Sequence, residues 1–220
     1  DHAEVDWVLR VIRQRYPTRT VVAVGVSLGG NALLCWAGIQ GQAASRIVDA
    51  VLAISAPLDL SQCGAALDQG LNRRIYTSMF LRTMKLKAQQ KWNQYPGLFS
   101  LEMAMSAKTL YAFDDAFTAP IHGFGTVERY WRMASSLPLL QGIRIPACVL
   151  NACNDPFVPS HCLPSSELVA PSVQLIQPDE GGHVGFWSLR AASGHAAYSS
   201  RNGALPCFLF DWVDEVLGLP

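Results

Sequence analysis

Three observations predict an α/β fold, a mostly parallel sheet with helices on both faces. Short β-branched apolar segments alternate with helix-periodic ones, and most are bounded by Pro, Gly or Asn. One segment, Val21–Val26, runs into Gly25-Val26-Ser27-Leu28-Gly29, a G-x-S-x-G followed by Gly30 and the helix-compatible run Asn31–Trp36. The 220 residues, 50% hydrophobic and 15% charged, suffice for one sizeable core carrying an insertion.

Residues 1–16 read as an amphipathic helix. Val5, Val8, Leu9 and Ile12 fall at i, i+3, i+4 and i+7, and Asp1 with Glu4 resembles a capping box. Pro17 ends it. Val21–Val26 reads as a strand buried on both faces, and Ile47–Ser55 as a second, closed by Ala56-Pro57. Ile145–Ala152 and Ser172–Gln177 give two more, and Pro206–Leu217 gives a closing helix stopped by Gly218. A membrane-spanning reading of the uncharged stretch Val21–Ile39 fails. Ser27, Asn31 and four glycines interrupt it, and its β-branched half precedes its helical half.

Residues 61–141 differ in character and are expected to form a helical lid, inserted into a core of residues 1–60 and 142–220. All five methionines lie here among many aromatics, which suits either a mouldable acyl-binding surface or the insertion's own core. No acid stands between Asp68 and Glu102, whereas Arg73, Arg74, Arg82, Lys85, Lys87 and Lys91 do. Such a face meets solvent in the ordinary case, and an anionic lipid surface in the less ordinary one.

Seventeen basic residues balance seventeen acidic ones, so nothing points to nucleic acid. Six cysteines are scattered without a C-x-x-C or a metal-ligand spacing, and read as free thiols of a reducing compartment, the cytoplasm. The chain opens at Asp1 with neither an initiator Met nor an apolar leader, and is expected to be a piece of something longer.

The central motif reads as a nucleophile elbow, a sharp strand-to-helix turn that strains Ser27 and lifts its Oγ clear of the sheet. Glycines two residues on either side are expected because the two backbones pass too close for side chains. The Leu28 N–H, at the helix N-terminus, is aimed at a developing oxyanion. A serine hydroxyl needs a base, and the base needs a third group to fix its tautomer. On such a sheet the order is Ser, acid, His, on loops beyond the strand ends. Asp155 stands on the loop after the third strand, stiffened by Pro156 and Pro159. His183 follows the fourth strand behind Gly181-Gly182, read as a flexible loop tip. His2, His122, His161 and His195 lack that placement. Asp59, Asp179 and Glu180 are the reserve acids, Asp59 foremost because it also follows a strand.

GVSLGGN, the insertion's FDDAFTAPIHGF (residues 113–124), NACNDPFVP and GGHVGF together resemble the YheT-like hydrolases of the α/β-hydrolase superfamily. The resemblance covers nearly the whole chain, and residues 113–124 are its most specific part. It implies carboxylic-ester hydrolysis without metal or organic cofactor, with Ser27, Asp155 and His183 as the triad. Asn154 departs from the acidic residue usual at that position. Family members carry further strands ahead of the first helix seen here, and an early loop whose His-Gly motif completes the oxyanion hole. The N-terminal strands are therefore expected to be missing, and the Leu28 N–H is the one oxyanion donor named within this chain. Asp114, Asp115 and His122 are expected to tie the insertion to the mouth of the site, or to pack and cap within it. Low charge and an apolar insertion favour uncharged, short- to medium-chain acyl esters. A phospholipase or lipid acyltransferase, a non-catalytic lipid-binding module, and a cofactor-free C–C or epoxide hydrolase are the rivals; the last is disfavoured because epoxide chemistry needs a carboxylate at the elbow.

Overall fold

The computed structural model describes residues 2–186, 188–190, 197–199 and 204–218. The expected cap at Asp1, and His195, lie outside them. The chain forms two compact units, Asp1–Leu58 with Ser136–Pro220, and Asp59–Ser135. The first opens with helix α1 (His2–Arg15), strand β1 (Val22–Val26), helix α2 (Leu28–Gln40) and strand β2 (Ala50–Ile54). The second holds α3 (Leu60–Leu67), α4 (Gly70–Asn72), α5 (Ser78–Gln94), α6 (Leu101–Ser106), α7 (Leu110–Phe113), α8 (Ala119–Ile121) and α9 (Val127–Ala134). The chain then returns through β3 (Ala147–Leu150), β4 (Val173–Ile176), an antiparallel pair β5 (Ser188–Arg190) and β6 (Ala197–Ser199), and α10 (Leu205–Leu217).

The order β1-β2-β3-β4 makes a parallel sheet, in register Val22 to Ala50, Val51 to Ala147 and Ala147 to Val173. Period-two alternation splits its side chains between two cores. Val51, Ala53, Ala147, Val149 and Val173 pack with Leu9 of α1 and Leu34 and Trp36 of α2. Ala50, Leu52, Ile54, Cys148 and Leu150 pack with Phe208 and Trp212 of α10. Burial drives the Cys148 thiol up to about 12, and that of Cys35 to about 11, so both pack as small hydrophobes.

Expectation and structure part at β1. Val24 and Val26 are 49% and 47% exposed, so this strand is not buried on both faces. It lies at one end of the described sheet, and the α10 core covers β2 and β3 but only Val22 of β1. The second strand also starts later than Ile47. Ile47 and Val48 donate back to the Ala44 carbonyl in a helical turn, while the Asp49 carboxylate takes the Val21 N–H at 2.8 Å and pairs with Arg13. Nearer the start of α1, Asp6 accepts from Arg10 and from the Trp36 indole. Those hydrogen bonds, Arg10 first, hold the Asp6 carboxyl below its usual range.

Residues 136–141 lie with the sheet unit rather than the insertion. The missing Cβ of Gly38 admits the Leu139 carbonyl, which would sit 2.4 Å from that atom, and Leu140 is fully buried in the α1–α2 core. Within the insertion, Phe99 meets Trp92 and Phe117 edge-on, beside Phe113 and Leu81. A second cluster forms around Trp131, whose ring fills the space left by Gly64. Of the five methionines only Met84 packs in these cores; Met79, Met103 and Met133 are more than half exposed. The hydrogen bonds of Asp114 and Asp115 run inside the insertion. Asp114 accepts from the Trp131 indole at 2.9 Å and from Thr118, and Asp115 accepts the Val127 N–H at 3.1 Å.

Candidate active site

β1 ends where its neighbour does. The Ser27 N–H donates to the Ile54 carbonyl at 2.8 Å, continuing the ladder by one residue, and α2 starts at the next. The turn between them forces Ser27 to φ 53°, ψ −127°, a conformation a residue with a side chain rarely holds. Gly30 and Asn31 spend their N–H groups on the Ser27 carbonyl. The Leu28 N–H, first in α2, has no acceptor among the described residues.

The glycine logic of the turn differs from the expected one. A Cβ on Gly25 would lie 2.6 Å from the Gly29 carbonyl oxygen and 2.7 Å from Gly30 Cα, and one on Gly30 would lie 2.9 Å from the Gly25 carbonyl oxygen. A Cβ on Gly29 would meet nothing within 4 Å. The close approach is between Gly25 and Gly30, and Gly29 is dispensable to it.

Asp155 follows β3 and is buried, at 4% exposure. One carboxylate oxygen accepts the Phe157 N–H at 2.8 Å, and the other lies 2.8 Å from His183 Nδ1. His183 Nε2 is 3.0 Å from Ser27 Oγ. Phe157 lies against the imidazole, ring centroids 4.4 Å apart. The three side chains, separated by 156 positions between Ser27 and His183, form one continuous relay.

The loop carrying His183 is held rather than slack. Asn154 Oδ1 accepts the Gly181 and Gly182 N–H groups at 3.0 and 2.8 Å. Gly181 leaves no room for a Cβ, which would fall 2.5 Å from the Phe186 ring, and Gly182 has φ 55°. From the end of β2, buried Ser55 donates its hydroxyl to the His183 carbonyl while itself held at φ 52°. Sequence reasoning missed Ser55 and Asn154. Asn154 carried a signal, as the departure from the family pattern, but Ser55 carried none. Of the reserve acids, Asp59 caps α3 by accepting the Ser61 and Gln62 N–H groups. Among the described residues, no hydrogen bond joins Asp179 or Glu180 to the relay.

A model of the α/β-hydrolase fold matches residues 2–188. YheT of Escherichia coli, named as a candidate esterase, is 34% identical over 185 residues, covering 83% of this chain and 54% of that one. Phospholipase ABHD3 of Homo sapiens is 27% identical over 184 residues, covering 83% and 44%. The monoacylglycerol lipase of Saccharomyces cerevisiae is 25% identical over 221 residues, covering 97% and 47%. The chain thus spans about half the length of the curated relatives it matches. Parallel sheet, serine turn and family model agree, and the chain, similar to YheT, belongs to the α/β-hydrolase fold family.

Proposed function

We propose that Ser27, His183 and Asp155 are the triad of a carboxylic-ester hydrolase working through an acyl-enzyme. The observation that carries this reading is the pair of hydrogen bonds from Asp155 to His183 and from His183 to Ser27. His183 Nε2 takes the Ser27 proton as Oγ attacks the ester carbonyl, and Asp155 steadies the imidazolium. The Leu28 N–H donates to the oxyanion. Collapse of the tetrahedral adduct breaks the bond to the alkoxy group, which leaves as the alcohol with the proton from His183. Water, deprotonated by the same imidazole, then releases the acid and restores Ser27.

The names of the relatives, a lipase and a phospholipase among them, support ester or lipid substrates. Low overall charge favours uncharged acyl groups of short to medium length, and the buried thiols fit a reducing compartment such as the cytoplasm. Turnover of nitrophenyl acyl esters by the purified protein tests the reading. Ser27→Ala is expected to lower it by roughly a million-fold; undiminished activity in that variant contradicts the scheme. Similarity to a phospholipase favours a second reading, cleavage of a phospholipid ester, and comparing nitrophenyl esters with phosphatidylcholine vesicles separates the two.

A further inference from the structure

Within the second unit, a cavity of about 1060 Å³ is lined by five cations, Arg73, Arg74, Arg82, Lys85 and Lys108, and by one carboxylate, Asp68. Backbone geometry gathers them. Ser78, Leu81, Arg82 and Lys85 recur at three- and four-residue intervals and share one side of α5. Just before it, the chain makes a π-helical turn at Arg73–Thr77, wider than an α-turn, which brings Arg73 and Arg74 to the same cavity. Buried Thr77 anchors that turn by donating its hydroxyl to the Leu67 carbonyl at 2.7 Å. Lys108 enters from the segment after α6, which Lys85 fastens by donating to the Ala107 carbonyl at 2.7 Å.

One carboxylate among five cations offsets the charge only in part. The Asp68 carboxylate accepts the Leu110 and Tyr111 N–H groups at 2.7 and 2.9 Å, so it serves the start of α7. Among the described residues, Arg73, Arg74, Arg82 and Lys108 have no ion-pair partner. Clustered like charge raises the free energy of a fold unless an anion answers it, and a face built only for solubility mixes both signs. Guanidinium forks match oxyanions in bidentate fashion. Four unpaired cations are more than the two oxygens of a carboxylate can engage, and suit a tetrahedral group with three or four oxygens. We infer that this cavity binds a phosphate group, carried by a soluble phosphorylated compound or by a lipid headgroup. The inference stands apart from the reading of Ser27, because every lining residue belongs to the second unit and its test does not measure ester turnover.

Inorganic phosphate is the probe, titrated calorimetrically into the purified protein in chloride buffer of low ionic strength. Saturable binding is expected, weakened at least about tenfold when Arg74→Ser is combined with Arg82→Ser. Both side chains are exposed, so that variant should still fold, which circular dichroism checks. Lys108→Ser weakens binding independently from another segment. Lys87→Ser with Lys91→Ser removes equal charge from α5 outside the cavity, and leaves binding within about twofold. Absence of saturable binding, or an equal loss in the two double variants, overturns the site. Flotation with phosphatidylcholine vesicles, with and without phosphatidic acid, then separates the sources. Recruitment by phosphatidic acid that the Arg74/Arg82 variant loses assigns a lipid headgroup, and phosphate binding without recruitment assigns a soluble ligand.

Discussion

The side-chain oxygen of Asn154 accepts the Gly182 N–H at 2.8 Å, one residue before the histidine whose imidazole reaches Ser27. The neighbour of Asp155 in sequence is thereby the clamp on the loop that presents His183. Asn154→Asp keeps an acceptor in place and should hold turnover within about threefold of the parent. Asn154→Leu leaves the Gly181 and Gly182 N–H groups without that partner, at roughly 1 kcal/mol each. It should lower kcat about ten- to thirtyfold with KM little moved. Steady-state kinetics on both variants, with circular dichroism to establish equal folding, checks this.

The elbow gives a second expectation, in two opposite directions. Gly25→Ala sets a methyl group 2.6 Å from the Gly29 carbonyl and has to part β1 from α2. It should destabilise the protein by about 3 kcal/mol or prevent folding. Gly29→Ala meets nothing within 4 Å and sits in the first turn of α2, so it should be neutral or stabilise by up to about 1 kcal/mol. Urea unfolding of the pair decides.

Asp114 makes stability depend on pH in an unusual sense for a carboxylate. Burial raises its pKa above 3.8, against the hydrogen bonds from Thr118 and Trp131. The folded chain therefore keeps a proton that the unfolded chain has already lost. The stability from this group is fully present below 3.8 and is lost as pH rises through the raised folded value. Asp114→Asn keeps an acceptor for the Trp131 indole without a buried charge. It should raise the unfolding midpoint at pH 7, with a gain that shrinks as pH falls toward 4. Asp114→Leu strands the indole N–H and should cost about 1–3 kcal/mol. Thermal unfolding from pH 4 to 8 measures both.

What was legible in the sequence is what local pattern encodes. The run from Ala50 to Ile54 is apolar at every position because both faces are covered, and it folds as a strand buried throughout. Strand-then-loop placement singled out Asp155 and His183 because side chains beyond the ends of parallel strands converge. Where a neighbour decides, the sequence was silent or misleading. The exposure of Val24 and Val26 depends on what lies beside and above β1. The need for glycine at position 30 rather than 29 depends on which residue of α2 faces Gly25, a matter of a few ångströms. Ser55 acts on the His183 loop across 128 positions with nothing to announce it, and Asn154 across 28, marked in the sequence only as a departure from the family pattern.

Covalent labelling is the most direct test of the central claim, that His183 and Asp155 activate Ser27. The purified protein, incubated with a fluorophosphonate and followed by intact-mass spectrometry, should gain one adduct, which peptide mapping places on Ser27. His183→Ala should slow labelling by about a thousandfold or more, and Ser27→Ala should abolish it. An unmodified protein that stays unlabelled while a control serine hydrolase reacts to completion, or a Ser27→Ala variant that labels as fast as its parent, contradicts the account.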